Sequence, residues 1–436
     1  MEDNNMEESE QKLEIEVAPA LITVHPAQES VSVAVGSNLR VFNLKDGCGV
    51  KLIDENGGHK DSIRAIRYSK SGHLLVSAGD DKLVKIWGTN SWRCVHSVVS
   101  EKRVSALAIS NDGMFVCFAD KFGVVYVVDI GGDYDFENAA VAKKKAFPIL
   151  SHYCSIITRL EFSPDGRYIV SADRDFKIRV TLFPKKPENG AHEIHSFCLG
   201  HTEFVSCLAF VSSKDYPNGF LVSGSGDSTV RLWDYASGSL LDTCDVGAEA
   251  GNLHSNGKQE DILSAVTDLC ATSDGSLVAV AIQSLPGIML LKCKLYSRTL
   301  SVAKVVHVAG ETFIPTSLGA SSSVPLLWMV MGASSSNIHD FESLARVRVV
   351  SGFTTTNDSE SLVSEKLVLA DKEVPGGEPL LQALQGKLTI GKEAFVMAAE
   401  AVQTSMRNLL IKKQYSAERR EFRKRGRNDK KNQTID

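Results

Sequence analysis

Three residue types able to move protons or attack a carbonyl recur along this chain in one order. His59, Ser77 and Asp81 form the first set, and His201, Ser223 and Asp227 the second. Taken singly, such residues would suggest general acid–base or nucleophilic chemistry. Each set, however, is followed by a tryptophan at the same offset. The aspartate lies four residues after the serine and six before Trp87 or Trp233. A constellation that repeats at fixed spacing reads as architecture, in which histidine, serine, aspartate and indole satisfy one another inside a folded unit.

The repeat extends beyond those residues. Gly58-His59 and Gly200-His201 open two segments that close on Lys85-Ile86-Trp87 and Arg231-Leu232-Trp233, the signature of a WD repeat. A third copy keeps Ser171 and Asp175, with His152 in the histidine place and Thr181 in the tryptophan place. A fourth has Asp120 six residues before Tyr126. Between these positions apolar residues alternate with period two, broken by turns such as Ser163-Pro164-Asp165-Gly166 and Ser110-Asn111-Asp112-Gly113. Seven blades are expected over about 17–44, 59–90, 101–130, 152–183, 201–235, 262–297 and 302–372, with counts of six or eight left open. The expected fold is all-β: a seven-bladed WD-repeat β-propeller with a C-terminal helix and a basic tail. Its domains would be an acidic, disordered head (1–16), the propeller (17–385, with 332–363 a serine-rich, disordered insertion), an amphipathic helix (386–415) and a flexible tail (416–436).

The net charge of -5 conceals opposite ends. Residues 2–16 carry seven acidic side chains against Lys12, whereas residues 407–431 carry eleven Lys or Arg against three acidic ones. Such a tail solubilises, sits near RNA phosphates or directs nuclear import. The nine cysteines show no C-x-x-C and read as reduced thiols of a cytosolic or nuclear protein. No signal peptide is expected, and the apolar run at Pro325 to Met331 is far too short for a membrane span. No dinucleotide or phosphate loop, G-x-S-x-G elbow, H-E-x-x-H or zinc pair appears, so no cofactor and no metal are expected. Long connections carry Lys143-Lys144-Lys145 and Lys185-Lys186-Pro187, surface lysines that could also guide an RNA. Phe395, Ala399, Val402, Met406 and Leu409 draw an apolar stripe for a helix over about 391–415, packed on the propeller or on a partner.

Two runs say more. Ser171 to Val180 and His195 to Ser206, with Ala119-Asp120-Lys121-Phe122-Gly123, resemble the non-catalytic subunit of tRNA (guanine-N7)-methyltransferase, a WD-repeat family. The resemblance implies no enzyme activity in this chain itself. It implies a scaffold that binds a separate S-adenosylmethionine-dependent catalytic subunit as a heterodimer. That complex would methylate N7 of a guanosine in the tRNA variable loop, in the nucleus and, as a second compartment, the cytoplasm. It also implies that Arg179 pairs with an acidic residue of the catalytic subunit, with Lys177 and Arg174 nearby; Phe176 departs from the acidic residue common in the family. A basic residue at that repeat position, as at Lys85 and Arg231, reads by itself as solvent-exposed. Tail residues Arg423, Lys424, Arg425 and Arg427, with the lysine run, would lie near RNA. The alternative function is a general WD-repeat adaptor in ribosome assembly or ubiquitin-ligase substrate capture.

Overall fold

The computed structural model describes residues 17–131, 144–152, 155–191, 193–252, 264–308, 313–335, 344–352 and 367–385. Seven four-stranded antiparallel sheets form a seven-bladed WD40 β-propeller. Six blades are consecutive meanders over 21–50, 63–99, 104–151, 157–198, 205–245 and 266–307. The alternation in the sequence located the inner three strands of each. It missed the outermost strand, because strands such as Ser239–Asp245 are largely exposed and lack an apolar face.

Blade 7 is assembled from two ends of the chain. Ser317–Ala320, Leu327–Ser335 and Leu344–Val350 are joined by Val17–Pro19, whose Val17 pairs with Ser335 and Pro19 with Ala333. This corrects the reading of 332–363 as an insertion: its first and middle parts are strands. Ala345, Val347 and Val349 alternate into the core, a strand pattern masked by the flanking serines. A short helix, Gly377–Gln385, was also not expected. It follows Gly376-Gly377, has Pro379 in its first turn, and buries Leu380, Leu381 and Leu384 against Phe42 and Val347. Gln385 Oε1 accepts the Val347 amide at 2.8 Å. The helix expected over 391–415, its stripe, the basic tail with Arg423, Lys424, Arg425 and Arg427, the acidic head and Lys143 lie outside the described residues.

Hydroxyl groups stitch the blades at the inner ring. The inner strands of blades 2 to 6 each carry a bulge at the same place, and Thr158, Ser206 and Thr267 occupy it in blades 4, 5 and 6. Each donates to a carbonyl of the following blade or its approach: Thr158 to Val205 (2.5 Å), Ser206 to Val266 (2.6 Å) and Thr267 to Pro315 (3.2 Å). Thr316 completes the series, donating to Ala20 O at 2.7 Å and so joining blade 7 to blade 1. Below this ring, charges link non-neighbouring blades. Arg67 of blade 2 meets Glu161 of blade 4 at 2.7 Å, and Arg159 of blade 4 meets Asp268 of blade 6 at 3.0 Å. Asp268 also accepts the Leu318 amide of blade 7 at 2.8 Å. Burial works against the charge on Arg159, yet Asp268 and Glu161 outweigh it and raise its pKa.

The repeated polar sets behave as supports. In blade 2, His59 Nδ1 lies 2.8 Å from Asp81, its Nε2 2.8 Å from Ser77 Oγ, and the Trp87 indole donates to that oxygen at 3.0 Å. Blade 5 repeats this with His201, Asp227, Ser223 and Trp233 at 2.9, 2.7 and 2.8 Å. The arrangement has the order of a catalytic triad, but Ser77 and Ser223 are wholly buried and no substrate can reach them.

Blades 3 and 4 differ, correcting two assignments. The carboxylate in blade 4 is Asp173, not Asp175: it is fully buried, accepts the Asp175 and Lys177 amides, and stands 3.6 Å from His152. Ser171 keeps its place, 3.0 Å from His152 Nε2. In blade 3, Asp120 likewise stands at the strand end and accepts the Phe122 and Val124 amides. By register Tyr126, opposite Phe118, matches Lys85, opposite Ser77, so Tyr126 is not in the tryptophan place; that place is taken by Val128. A six-residue offset counted from the wrong aspartate caused the misreading.

Two expectations follow. Ser223→Ala would strand both an imidazole nitrogen and an indole N–H, costing about 2–4 kcal/mol, whereas Ser171→Ala strands the imidazole alone and costs roughly 1–2 kcal/mol. Urea unfolding of the two variants measures the difference. The second concerns acid. Burial lowers the pKa of His25, His152 and His201 below 6.5, so between that value and the folded pKa the unfolded chain binds more protons. Asp81, Asp173 and Asp227 are also held low: burial works to raise them, but the neighbouring histidine and backbone amides outweigh it. Stability is therefore lost first as pH falls from 6.5, and again below the ordinary aspartate range. Urea midpoints at pH 7.5, 6.0 and 5.0 should decline in that order.

Candidate partner interface

Blade 4 turns the interior economy of the repeat outward. Its outer strand, Ile194–Cys198, exposes Ile194 (48%) and Phe197 (41%), and Leu199 follows at 59%. Phe176, on the turn between its second and third strands, is 37% exposed. Among the described residues, four of the eleven exposed large apolar side chains thus fall on this one blade. A concentration of that kind on an edge strand makes a candidate contact surface.

Register places Arg179 directly opposite Phe197, within this patch. Its guanidinium is 17% exposed and lies 3.9 Å from Asp173, whose Oδ2 makes no hydrogen bond. Arg179 is therefore held from inside while its neighbours face outward. At the equivalent position Lys85 is wholly buried and bonded to Asp54 and the Gly57 carbonyl, and Arg231 lies 3.7 Å from Asp227. The expectation that this repeat position is solvent-exposed is thus wrong: it points back to the loop or turn carboxylate.

The three basic residues grouped by sequence do not converge. Lys177 is exposed on the turn beside Phe176. Arg174 instead lines the mouth of the central channel. Lys144 and Lys145 precede the outer strand of blade 3 at the end remote from the Asp120 turn, with the Lys145 ammonium 5.3 Å from the Phe147 ring. The sequence reading missed the apolar half of the patch. Its signal was available in His195-Ser196-Phe197-Cys198-Leu199, where large apolar residues sit on a strand too polar on its other face to be core.

Phe176 has a backbone reason to be noticed. Lys82, Gly123, Phe176 and Ser228 occupy the same turn position, all left-handed, with φ of 65°, 83°, 69° and 62°. A bulky aromatic there is strained. Among the described residues no three His, Cys, Asp or Glu side chains are grouped as a metal site.

Comparison with known proteins bears on the same region. Residues 144–327 match the profile of the tRNA methyltransferase TRM82 WD40 domain, and residues 51–88 match the WD domain, G-beta repeat. The chain is thus similar, over part of its length, to WD-repeat non-catalytic subunits of tRNA methyltransferase. It is 30% identical over 252 residues to the tRNA (guanine-N(7)-)-methyltransferase non-catalytic subunit of Dictyostelium discoideum, covering 55% of this chain and 51% of that one. It is 38% identical over 186 residues to the Mus musculus counterpart, covering 43% and 41%. The alignments thus span about half the length of these curated relatives. Among solved structures, RRP9 WD40 repeats superpose with a TM-score of 0.55 at 19% identity, covering 72% of this chain and 87% of that one, a likeness of fold.

Phe176→Gly relieves the strained turn and should leave urea stability unchanged or raise it by about 1 kcal/mol. A loss of stability would show that the ring is needed by the fold and is not presented for contact.

Proposed function

We propose that this chain is the non-catalytic subunit of a tRNA (guanine-N(7)-)-methyltransferase, gripping a separate catalytic subunit with blade 4. The observation that carries the reading is the exposed apolar patch of Ile194, Phe197, Leu199 and Phe176 around Arg179. It lies inside the segment that matches the tRNA methyltransferase WD40 profile.

In this reading the chain contributes rigidity and position. Its serine–histidine–aspartate sets are committed to holding blades. The patch supplies apolar area, and Arg179 supplies a cation whose inner side is balanced by Asp173. A carboxylate from the partner would compete for that cation in a partly dewatered setting, where breaking such a pair costs ~2–5 kcal/mol. Transfer RNA would then be bound by the complex, with Lys144 and Lys145 as surface cations on the adjoining blade. A more general adaptor role has no observation in its favour beyond the fold.

Because Arg179 also steadies Asp173, the cleaner variants are apolar. Full chain carrying Ile194→Asp and Leu199→Asp, co-expressed with the catalytic methyltransferase subunit, should lose at least ~10-fold of the co-purified complex and of methyl transfer to tRNA. Its melting temperature should be preserved. Arg179→Glu should lose the complex together with some stability. Undiminished assembly by the double variant, or methyl transfer by the purified chain alone, would sink the proposal.

A further inference from the structure

Blade 4 and the loop leading into it hold three buried polar atoms that make no hydrogen bond among the described residues: His152 Nδ1, Asp173 Oδ2 and Ser155 Oγ. Blades 2 and 5 bond the matching imidazole and carboxylate directly, at 2.8 and 2.9 Å. In blade 4 the same pair stands 3.6 Å apart, although both residues are buried. The oxygen that His152 does not reach is also the one facing Arg179 Nη2, at 3.9 Å. Asp173 Oδ2 thus lies between two nitrogen groups and bonds to neither. The other oxygen of Asp173 is committed to the Asp175 and Lys177 amides.

His152 can hold a second proton without losing a bond. Ser171 Oγ lies 3.0 Å from its Nε2. Thr181 stands where blade 2 has Trp87, so no indole donates to that hydroxyl. The hydroxyl can therefore accept from Nε2–H, while Asp173 Oδ2 is placed to accept from Nδ1–H. In the chain by itself the neutral ring is favoured. Burial lowers the His152 pKa below 6.5, Asp173 opposes this, and the Arg179 and Lys177 cations reinforce it. From blade 3, the adjoining turn gives the Gly123 carbonyl to the His152 amide at 2.7 Å and carries Asp120 and Lys121. With the ring neutral, the charges of Arg179 and Asp173 cancel. A carboxylate brought onto Arg179 would leave the trio with an excess negative charge in a partly dewatered setting, and one proton on His152 restores the balance.

We propose that Arg179 and His152 share Asp173 as a proton-linked latch: when a carboxylate of the partner takes Arg179, His152 gains a proton from solvent and closes on Asp173. The inference rests on the reading of blade 4 as the partner's seat. Between the His152 pKa values of the lone and the assembled chain, the complex holds a proton that the lone chain lacks. Affinity therefore rises as pH falls through that window, by at most about ten-fold per pH unit for one proton.

Calorimetric titration of the full chain with the catalytic methyltransferase subunit, at pH 6.5 in two buffers of different ionisation enthalpy, counts the protons bound on assembly. The natural chain should take up a measurable part of one proton, and His152→Gln should lose most of that uptake. Equal uptake by the two chains would overturn the proposal. A second measurement needs no partner. Histidine ring resonances of the full chain, followed by NMR against pH, should show one ring titrating several tenths of a pH unit higher in Arg179→Gln, while His201 stays fixed. No ring moving upward would overturn the proposal as well. A shifted ring alongside failed assembly would sink the partner reading and leave the coupling within the trio standing.

Discussion

A hydroxyl near the start of an inner strand is what the ring leans on. Thr158, Ser206, Thr267 and Thr316 each reach a carbonyl of the next blade or its approach, so four successive joints share one device. Individually such a bond contributes only about 1 kcal/mol. Its value lies in direction: it fixes how far one inner strand is displaced from the next, which apolar side chains between blades cannot do. At the corresponding bulges of blades 2 and 3 stand Arg64, committed to Asp80, and Ser105, which bonds within its own blade at Ala119. There the ring relies on packing, such as Val84 and Ile86 against Phe118, and on Arg67 reaching past blade 3 to Glu161.

The same division separates the regular blades from the one that meets the outside. Blades 2 and 5 lock histidine, serine, aspartate and tryptophan into closed sets. Blade 4 lacks the tryptophan, draws its carboxylate from the strand end, and sets Arg179 against it. What the blade gives up in internal bonding it shows as exposed side chains. Departure from the local rule coincides with the proposed site of contact, as expected where function constrains a fold.

The propeller was legible because its supports repeat: the offsets among Ser77, Asp81 and Trp87 return unchanged at Ser223, Asp227 and Trp233, with His59 and His201 standing 18 and 22 residues ahead of the serine. The degenerate copies were harder. Asp173, at a strand end, and Asp175, on the turn that follows, are two residues apart, and only burial and hydrogen bonding, which the sequence does not display, distinguish them. The helix Gly377–Gln385 escaped notice because nine residues give too short a periodic signal. Arg179 could be singled out from sequence, yet its pairing with Asp173 could not, since that depends on which aspartate turns inward. The apolar patch was hidden for the opposite reason: an exposed outer strand has no alternation to betray it.

The strand Val17–Pro19 has a consequence in time. It completes the last blade, yet it precedes all the others in synthesis; the bond from Thr316 to Ala20 joins residues separated by 296 positions. At ribosomal speeds of about 5–20 residues per second, roughly 15–60 s pass before its partner exists. For that interval the nascent chain is an open arc with an unpaired edge at its leading end. A prematurely terminated product lacking Leu327–Ser335 would never lose that edge, and would be a substrate for chaperones or proteases, not a smaller propeller.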